Sequence, residues 1–126
     1  MQTIPFYGGN IVYKNEIETP DCDLIIRANH YKGVVIKVFV DGVDCGYIAF
    51  APYKLNLKDI KAGKHTIEFK LFGNRINSFG AVHNTCFSQL WYGPGLWRTS
   101  CDEWSYEYQL SDMGILSAPV VTVLEK

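Results

Sequence analysis

Val34-Val35-Ile36-Lys37-Val38-Phe39-Val40-Asp41-Gly42-Val43-Asp44-Cys45-Gly46-Tyr47-Ile48-Ala49-Phe50 is the stretch from which the fold is read. Two β-rich segments, residues 34–40 and 43–50, flank Asp41-Gly42. Asp-Gly suits the type I′ turn, whose twist matches that of the strands it joins. The stretch therefore predicts a β-hairpin. Residues 34–40 are apolar at nearly every position, which predicts an interior strand covered on most of both faces.

Outward from the hairpin, period-two alternation recurs. In Thr66-Ile67-Glu68-Phe69-Lys70-Leu71 the apolar residues share one face and the polar ones the other. Trp104-Ser105-Tyr106-Glu107-Tyr108-Gln109-Leu110 alternates in the same way with larger rings. Successive strand side chains point to opposite faces, so both segments read as half-buried strands. Lys61-Ala62-Gly63 is a turn feeding the strand at 66–71. Thr19-Pro20-Asp21 separates strands expected at 10–18 and 23–29, and Ala118-Pro119 opens a last one at 120–124. No segment shows a helical period; Lys58-Asp59-Ile60 makes one short turn at most. Many short strands with regular turns predict an all-β chain, a two-sheet antiparallel β-sandwich with alternate apolar positions buried between the sheets. With 126 residues and no dividing linker, residues 1–126 read as one domain.

Composition narrows the function. A hydrophobic fraction of 48% supports a core without outside help, and a net charge of −1 gives no basic surface for nucleic acid. The longest apolar runs, 33–36 and 38–40, are too short to span a bilayer. The opening Met-Gln-Thr-Ile-Pro-Phe has neither a basic start nor a long apolar stretch, so no secretory signal is read there. Cys22, Cys45, Cys86 and Cys101 have no CxxC spacing, which argues against zinc and favours reduced, mostly buried thiols in a cytoplasmic setting. Cys86 and Cys101 flank an aromatic segment and could meet, but the simpler reading keeps all four reduced.

Motifs for chemistry are sparse. No Ser/His/Asp arrangement, phosphate loop or dinucleotide fingerprint is present, and no cofactor is implied. Asp102 and Glu103 are adjacent, so on a strand they would point to opposite faces and not form a glycosidase pair. Glu16, Glu18, Glu68 and Glu107 fall on alternating segments as a solvated face. Asp21, Asp23, Asp41 and Asp44 could offer oxygen ligands to calcium but read more simply as turn chemistry, so no metal is assigned. His65, just before a strand, reads as structural.

The long irregular stretch from Gly73 to Asp102 holds the binding chemistry. Loops of this length in small domains are functional or face a partner. Asn74, Arg75, Asn77, His83 and Asn84 offer polar groups, Trp91, Tyr92 and Trp97 offer ring faces, and Arg98 adds a cation. Sugars present apolar C–H faces and rings of hydroxyls, which such a set can stack against and hydrogen-bond. Several readings stay open: contact with carbohydrate, packing of the aromatic loop on a neighbouring domain or back over the open end of the sandwich, since Trp, Tyr and Arg are also interface residues, or loop irregularity with no specific role.

Ile36-Lys37-Val38-Phe39-Val40-Asp41-Gly42, Gly46-Tyr47-Ile48-Ala49-Phe50-Ala51-Pro52-Tyr53, Leu55-Asn56-Leu57 and Ala62-Gly63-Lys64-His65-Thr66-Ile67-Glu68-Phe69 together resemble galactose-binding-like β-sandwich modules of family 2 glycoside hydrolases. Phe72-Gly73-Asn74-Arg75, Trp97-Arg98 and the 104–110 segment resemble C-terminal modules of bacterial β-galactosidase-related proteins. The resemblance covers about Phe6 to the end. It implies a jelly-roll whose catalytic carboxylates lie in a separate barrel of about 250 residues, which a chain of this length cannot contain. The chain is then expected to be a non-catalytic accessory module, with the parent enzyme's catalytic domain as its partner. Its role would be to bind carbohydrate, to shape the substrate cleft, or to pack structurally without sugar affinity.

Overall fold

The computed structural model describes residues 4–85 and 103–125. It divides into two units. The larger comprises Asn10–Gly73 and Met113–Lys126; the smaller comprises Met1–Gly9 and Asn74–Asp112.

The larger unit is a two-sheet antiparallel β-sandwich. Its strands are β1 (Ile11–Thr19), β2 (Cys22–Arg27), β3 (Tyr31–Lys32), β4 (Val35–Val40), β5 (Val43–Ile48), β6 (Lys54–Ile60), β7 (Gly63–Phe72), β8 (Gly114–Ile115) and β9 (Val120–Glu125). One sheet has the order β1-β7-β4-β5 and the other β6-β2-β9, with β3 and β8 as a short separate pair. Alternation does what the sequence predicts. Cys22, Leu24 and Ile26 of β2, Ile36 and Val38 of β4, Ile48 of β5, and Ile67 and Leu71 of β7 point into one core with almost no solvent exposure. Each of the aliphatic side chains contributes about 1.5–3 kcal/mol of burial. β4 lies between β7 and β5, and its outward residues Lys37 and Phe39 are half-buried, as expected of an interior strand.

The hairpin forms where Asp41-Gly42 places it. Both residues have positive φ, 50° and 80°, which a type I′ turn requires. Asp41 also anchors the turn to β7: its Oδ1 accepts the Thr66 N–H at 2.8 Å, and its own N–H donates to the Thr66 carbonyl at 2.9 Å. A register shift follows between Val38 and Phe39, where Gly46 at φ 113° lets the chain bulge and Asp44 Oδ1 accepts the Gly46 N–H. On the outer face Lys37 ion-pairs Asp44 at 2.7 Å and lies within 5.3 Å of the Phe39 and Tyr47 ring centres.

Lys58-Asp59-Ile60 is the end of β6, not a helical turn. Asp59 has φ 59° and donates its N–H to Asp23 Oδ1 at 2.9 Å, beside the register shift between Cys22 and Leu24. Asp21 Oδ1 accepts the Ala62 N–H at 3.1 Å. Asp21, Asp23, Asp41 and Asp44 thus all serve as backbone acceptors at turns and bulges. His65 lies within β7 and holds two acceptors, Asp41 Oδ2 at 2.6 Å through Nδ1 and the Lys61 carbonyl at 2.7 Å through Nε2.

Candidate functional site

The smaller unit brings the described candidate residues together. Its backbone begins with an Asx turn, in which Asn74 Oδ1 accepts the Ile76 N–H at 3.1 Å. A single helical turn follows, α1 (Ile76–Phe79), and the Gly80 N–H closes it on the Ile76 carbonyl at 2.9 Å. Any side chain at Gly80 would run into that carbonyl. The sequence gives no helical period here, and four residues are too few to show one.

Asn77 is buried in the middle of this unit. Its amide donates to the carbonyls of Pro5 and Ser111, both at 2.8 Å, and its Oδ1 accepts the Ser111 N–H at 2.9 Å. Ser78 Oγ donates to the Phe6 carbonyl at 2.8 Å. One short turn therefore holds two distant pieces of chain, Pro5-Phe6 and Ser111. Asn74 and Asn77, expected as sugar ligands, have side chains engaged with backbone. Arg75 is exposed, with its guanidinium 5.7 Å from the Phe79 ring centre.

Trp104–Leu110 is not a strand. A strand needs a ladder, and this segment makes one isolated bridge, Asn84 to Trp104. Around it the Thr85 N–H donates to the Glu103 carbonyl at 2.7 Å and the Ser105 N–H to the His83 carbonyl at 2.8 Å. The chain then bends, with the Glu107 N–H turned onto Ser105 Oγ at 3.1 Å. It returns when the Gln109 N–H donates to the Val82 carbonyl at 2.6 Å.

Ring packing takes the ladder's place. His83 lies 5.2 Å from Trp104 and 4.8 Å from Tyr108, tilted by 30° and 34°. Tyr106 stands edge-on to Trp104 at 4.4 Å, and Phe6 edge-on to Tyr108 at 5.0 Å. His83 Nδ1 donates to the Ser105 carbonyl at 2.9 Å, which fixes the ring against the bend. Tyr106 is 89% exposed, so the cluster presents a ring to solvent. Trp104, Tyr106 and Tyr108 were not among the expected ligands because their alternation reads as strand; the aromatic density of the segment was the available signal.

A cleft of about 170 Å³ opens within the same unit. Ile76, Ala81 and Val82 give it apolar walls, and Asn84, Gln109 and Ser111 give it polar ones. It is below the roughly 300–1,000 Å³ of sites for drug-sized ligands, a size for one small ring. Of the expected set, the structure thus groups Asn74, Arg75, Asn77, His83 and Asn84, with Asn84 and Asn77 lining the cleft. Trp91, Tyr92, Trp97 and Arg98 lie outside the described residues, as do Cys86 and Cys101. Among the described residues Cys22 and Cys45 are free thiols, the first buried and the second half-buried. Burial pushes the Cys45 thiol up from its ordinary pKa.

No family model and no curated protein matches the chain. Among solved structures it is similar to a GH2 beta-galacturonidase from Eisenbergiella tayi, whose structure holds galacturonate. The identity is 26% and the TM-score 0.44, over 69% of this chain. The matched region is 15% of that chain, so this sequence corresponds to a small part of that enzyme's length.

Proposed function

We propose that this chain is a non-catalytic β-sandwich module that contacts carbohydrate, of the accessory kind that family 2-type glycoside hydrolases carry beside a catalytic barrel. The observation that carries the reading is the ring cluster of His83, Trp104, Tyr106 and Tyr108, in the same unit as a cleft walled by Asn84, Gln109 and Ser111. Exposed ring faces stack on sugar C–H faces, and amides and hydroxyls hold sugar hydroxyls. Several carboxylates have other work: Asp41 serves His65 and Thr66, Asp44 serves Lys37, and Glu68 pairs Lys14 at 2.7 Å.

Amide and indole NMR shifts of the whole chain, titrated with neutral and acidic monosaccharides and short oligosaccharides, test the reading. Saturable shifts at Trp104, His83 and Asn84 are expected, and Tyr106→Ala should weaken them. A flat response across the panel refutes sugar contact.

A second reading keeps the same surface but gives it to a protein. Phe79 is 64% exposed and Tyr106 89% exposed, the kind of apolar surface that a catalytic domain would cover. In that case Tyr106→Ala weakens assembly of the parent enzyme and leaves sugar response absent throughout.

A further inference from the structure

The two sheets of the sandwich are unequal, with four strands against three. β5 lies beside β6 on one flank. Matching the sheets from that flank leaves β1 without a strand opposite it, at the position just beyond β9. A cleft of about 150 Å³ marks the place, lined by Tyr13 and Ile17 of β1, Ile67 and Phe69 of β7, and Pro119 and Val121. Tyr13, Ile17, Ile67, Phe69 and Val121 belong to the core or pack against it, and Lys14, Asn15, Ala118 and Pro119 complete the rim, so the cleft opens from the core to the surface.

Each sheet edge differs in how it resists pairing. β1 carries Lys14, Glu16 and Glu18; β6 carries Lys54, Lys58 and Asp59; β5 carries Asp44 and is bulged at Gly46. Charges and bulges are the usual protection of an edge. β9 has neither across Val120-Val121-Thr122-Val123-Leu124. It pairs β2 over its whole length in unbroken register, and it is the last strand of its sheet among the described residues. Val120, Val123 and Leu124 are 59%, 40% and 45% exposed.

We infer that β9 is a self-pairing edge, and that its occupant is β9 of a second copy of this chain, run antiparallel about Thr122. The segment is close to a chemical palindrome. In this register Val120 meets Leu124 of the second copy, Val121 meets its Val123, and the two Thr122 residues face each other. The register keeps the faces aligned. Val120, Thr122 and Leu124 pair with Arg27, Ile25 and Asp23 on the outer face, while Val121 and Val123 pair with the buried Ile26 and Leu24. The second copy's inner valines then cover the gap opposite β1. Charge is compatible as well: Arg27 lies next to Val120 and Asp23 next to Leu124, so each arginine shares a row with the other copy's aspartate, three strand spacings or ~14 Å away. Such an interface is isologous and closes as a two-fold dimer. One edge strand per copy buries less than the roughly 1,200 Å² of a stable complex, so the dimer is weak and concentration-dependent.

Sedimentation equilibrium of the whole chain from micromolar to millimolar concentration provides the test. The average mass should rise toward that of two chains. Thr122→Lys, which sets two ammonium groups against each other at the axis, should hold it at one. Thr122→Cys should form a covalent dimer under mild oxidation beyond the level of the wild-type cysteines. Circular dichroism identifies a Thr122→Lys variant that has lost its fold, in which case the cysteine cross-link decides. A wild-type mass that stays at one chain to millimolar concentration overturns the inference. So does a folded Thr122→Lys variant that associates unchanged, or a Thr122→Cys variant that cross-links no more than wild type.

Discussion

Replacing Asn77 with alanine orphans three backbone groups at once. The carbonyls of Pro5 and Ser111 lose a donor, and the Ser111 N–H loses its acceptor. A net hydrogen bond contributes about 0.5–1.5 kcal/mol, and a buried group left unpaired costs about 1–3 kcal/mol. Asn77 and Ser111 border the cleft, so water can enter and satisfy part of what is lost. The expected loss is then about 2–4 kcal/mol for the smaller unit. Exchange of the Ser111 amide, followed by NMR, reads it where it occurs. Protection at Ser111 should fall by one to three orders of magnitude, while amides of β2 and β4 keep theirs. Asn77→Asp sharpens the test. A carboxylate keeps the acceptor for Ser111 but faces two carbonyl oxygens, so this variant should be at least as damaging at neutral pH. It should recover in part on acidification, when the protonated acid can donate to one of them. Unchanged exchange at Ser111 in Asn77→Ala, with a stability change below about 0.5 kcal/mol, refutes the account of this side chain as a staple.

His65 faces two acceptors, so both of its contacts are hydrogen bonds only when the ring carries two protons. The Asp41 carboxylate and the Lys61 carbonyl hold its pKa above the ordinary 6.5. Its contribution should be full below that value and lost as pH rises through the folded pKa. The Asp41 carboxyl is held below its ordinary range by His65 and the Thr66 N–H, and its contribution is lost on acidification. Melting temperature should therefore be highest between the two, and His65→Gln should flatten the alkaline limb; an unchanged limb counts against the clamp. Glycine replacements should separate two kinds of turn. Gly42, at φ 80° with open space around it, should accept Asn at a cost below about 1 kcal/mol, whereas Gly63, at φ 145°, should lose about 1–3 kcal/mol as Ala in denaturant melts.

The sandwich was readable because its strands obey simple rules. Period-two burial in residues 66–71 and 34–40 reflects strand geometry, and Asp41-Gly42 has one turn that suits it. β3 and β8, at two residues each, are too short to show a period. Residues 104–110 mislead for a different reason. Alternation does not by itself supply a partner strand, and here the rings pack on His83 and on one another while Tyr106 and Tyr108 stay exposed. The candidate site was half legible. Sequence selected His83 and Asn84 by their chemistry, but it could not tell a free amide from one turned inward, as at Asn77, because that depends on where Pro5 and Ser111 come to lie.

The connection between β2 and β9 has a consequence for assembly. Cys22 pairs with Glu125, so one sheet closes only when residues 120–125 meet a strand made roughly a hundred residues earlier. The hairpin of β4 and β5 and its docking on β7 need nothing beyond Phe72. Synthesis from the N-terminus thus completes one layer long before the other has its third member. Until then one side of β2, with Leu24 and Ile26, is left uncovered, and that newborn seam is where a chaperone or a stray strand would attach first.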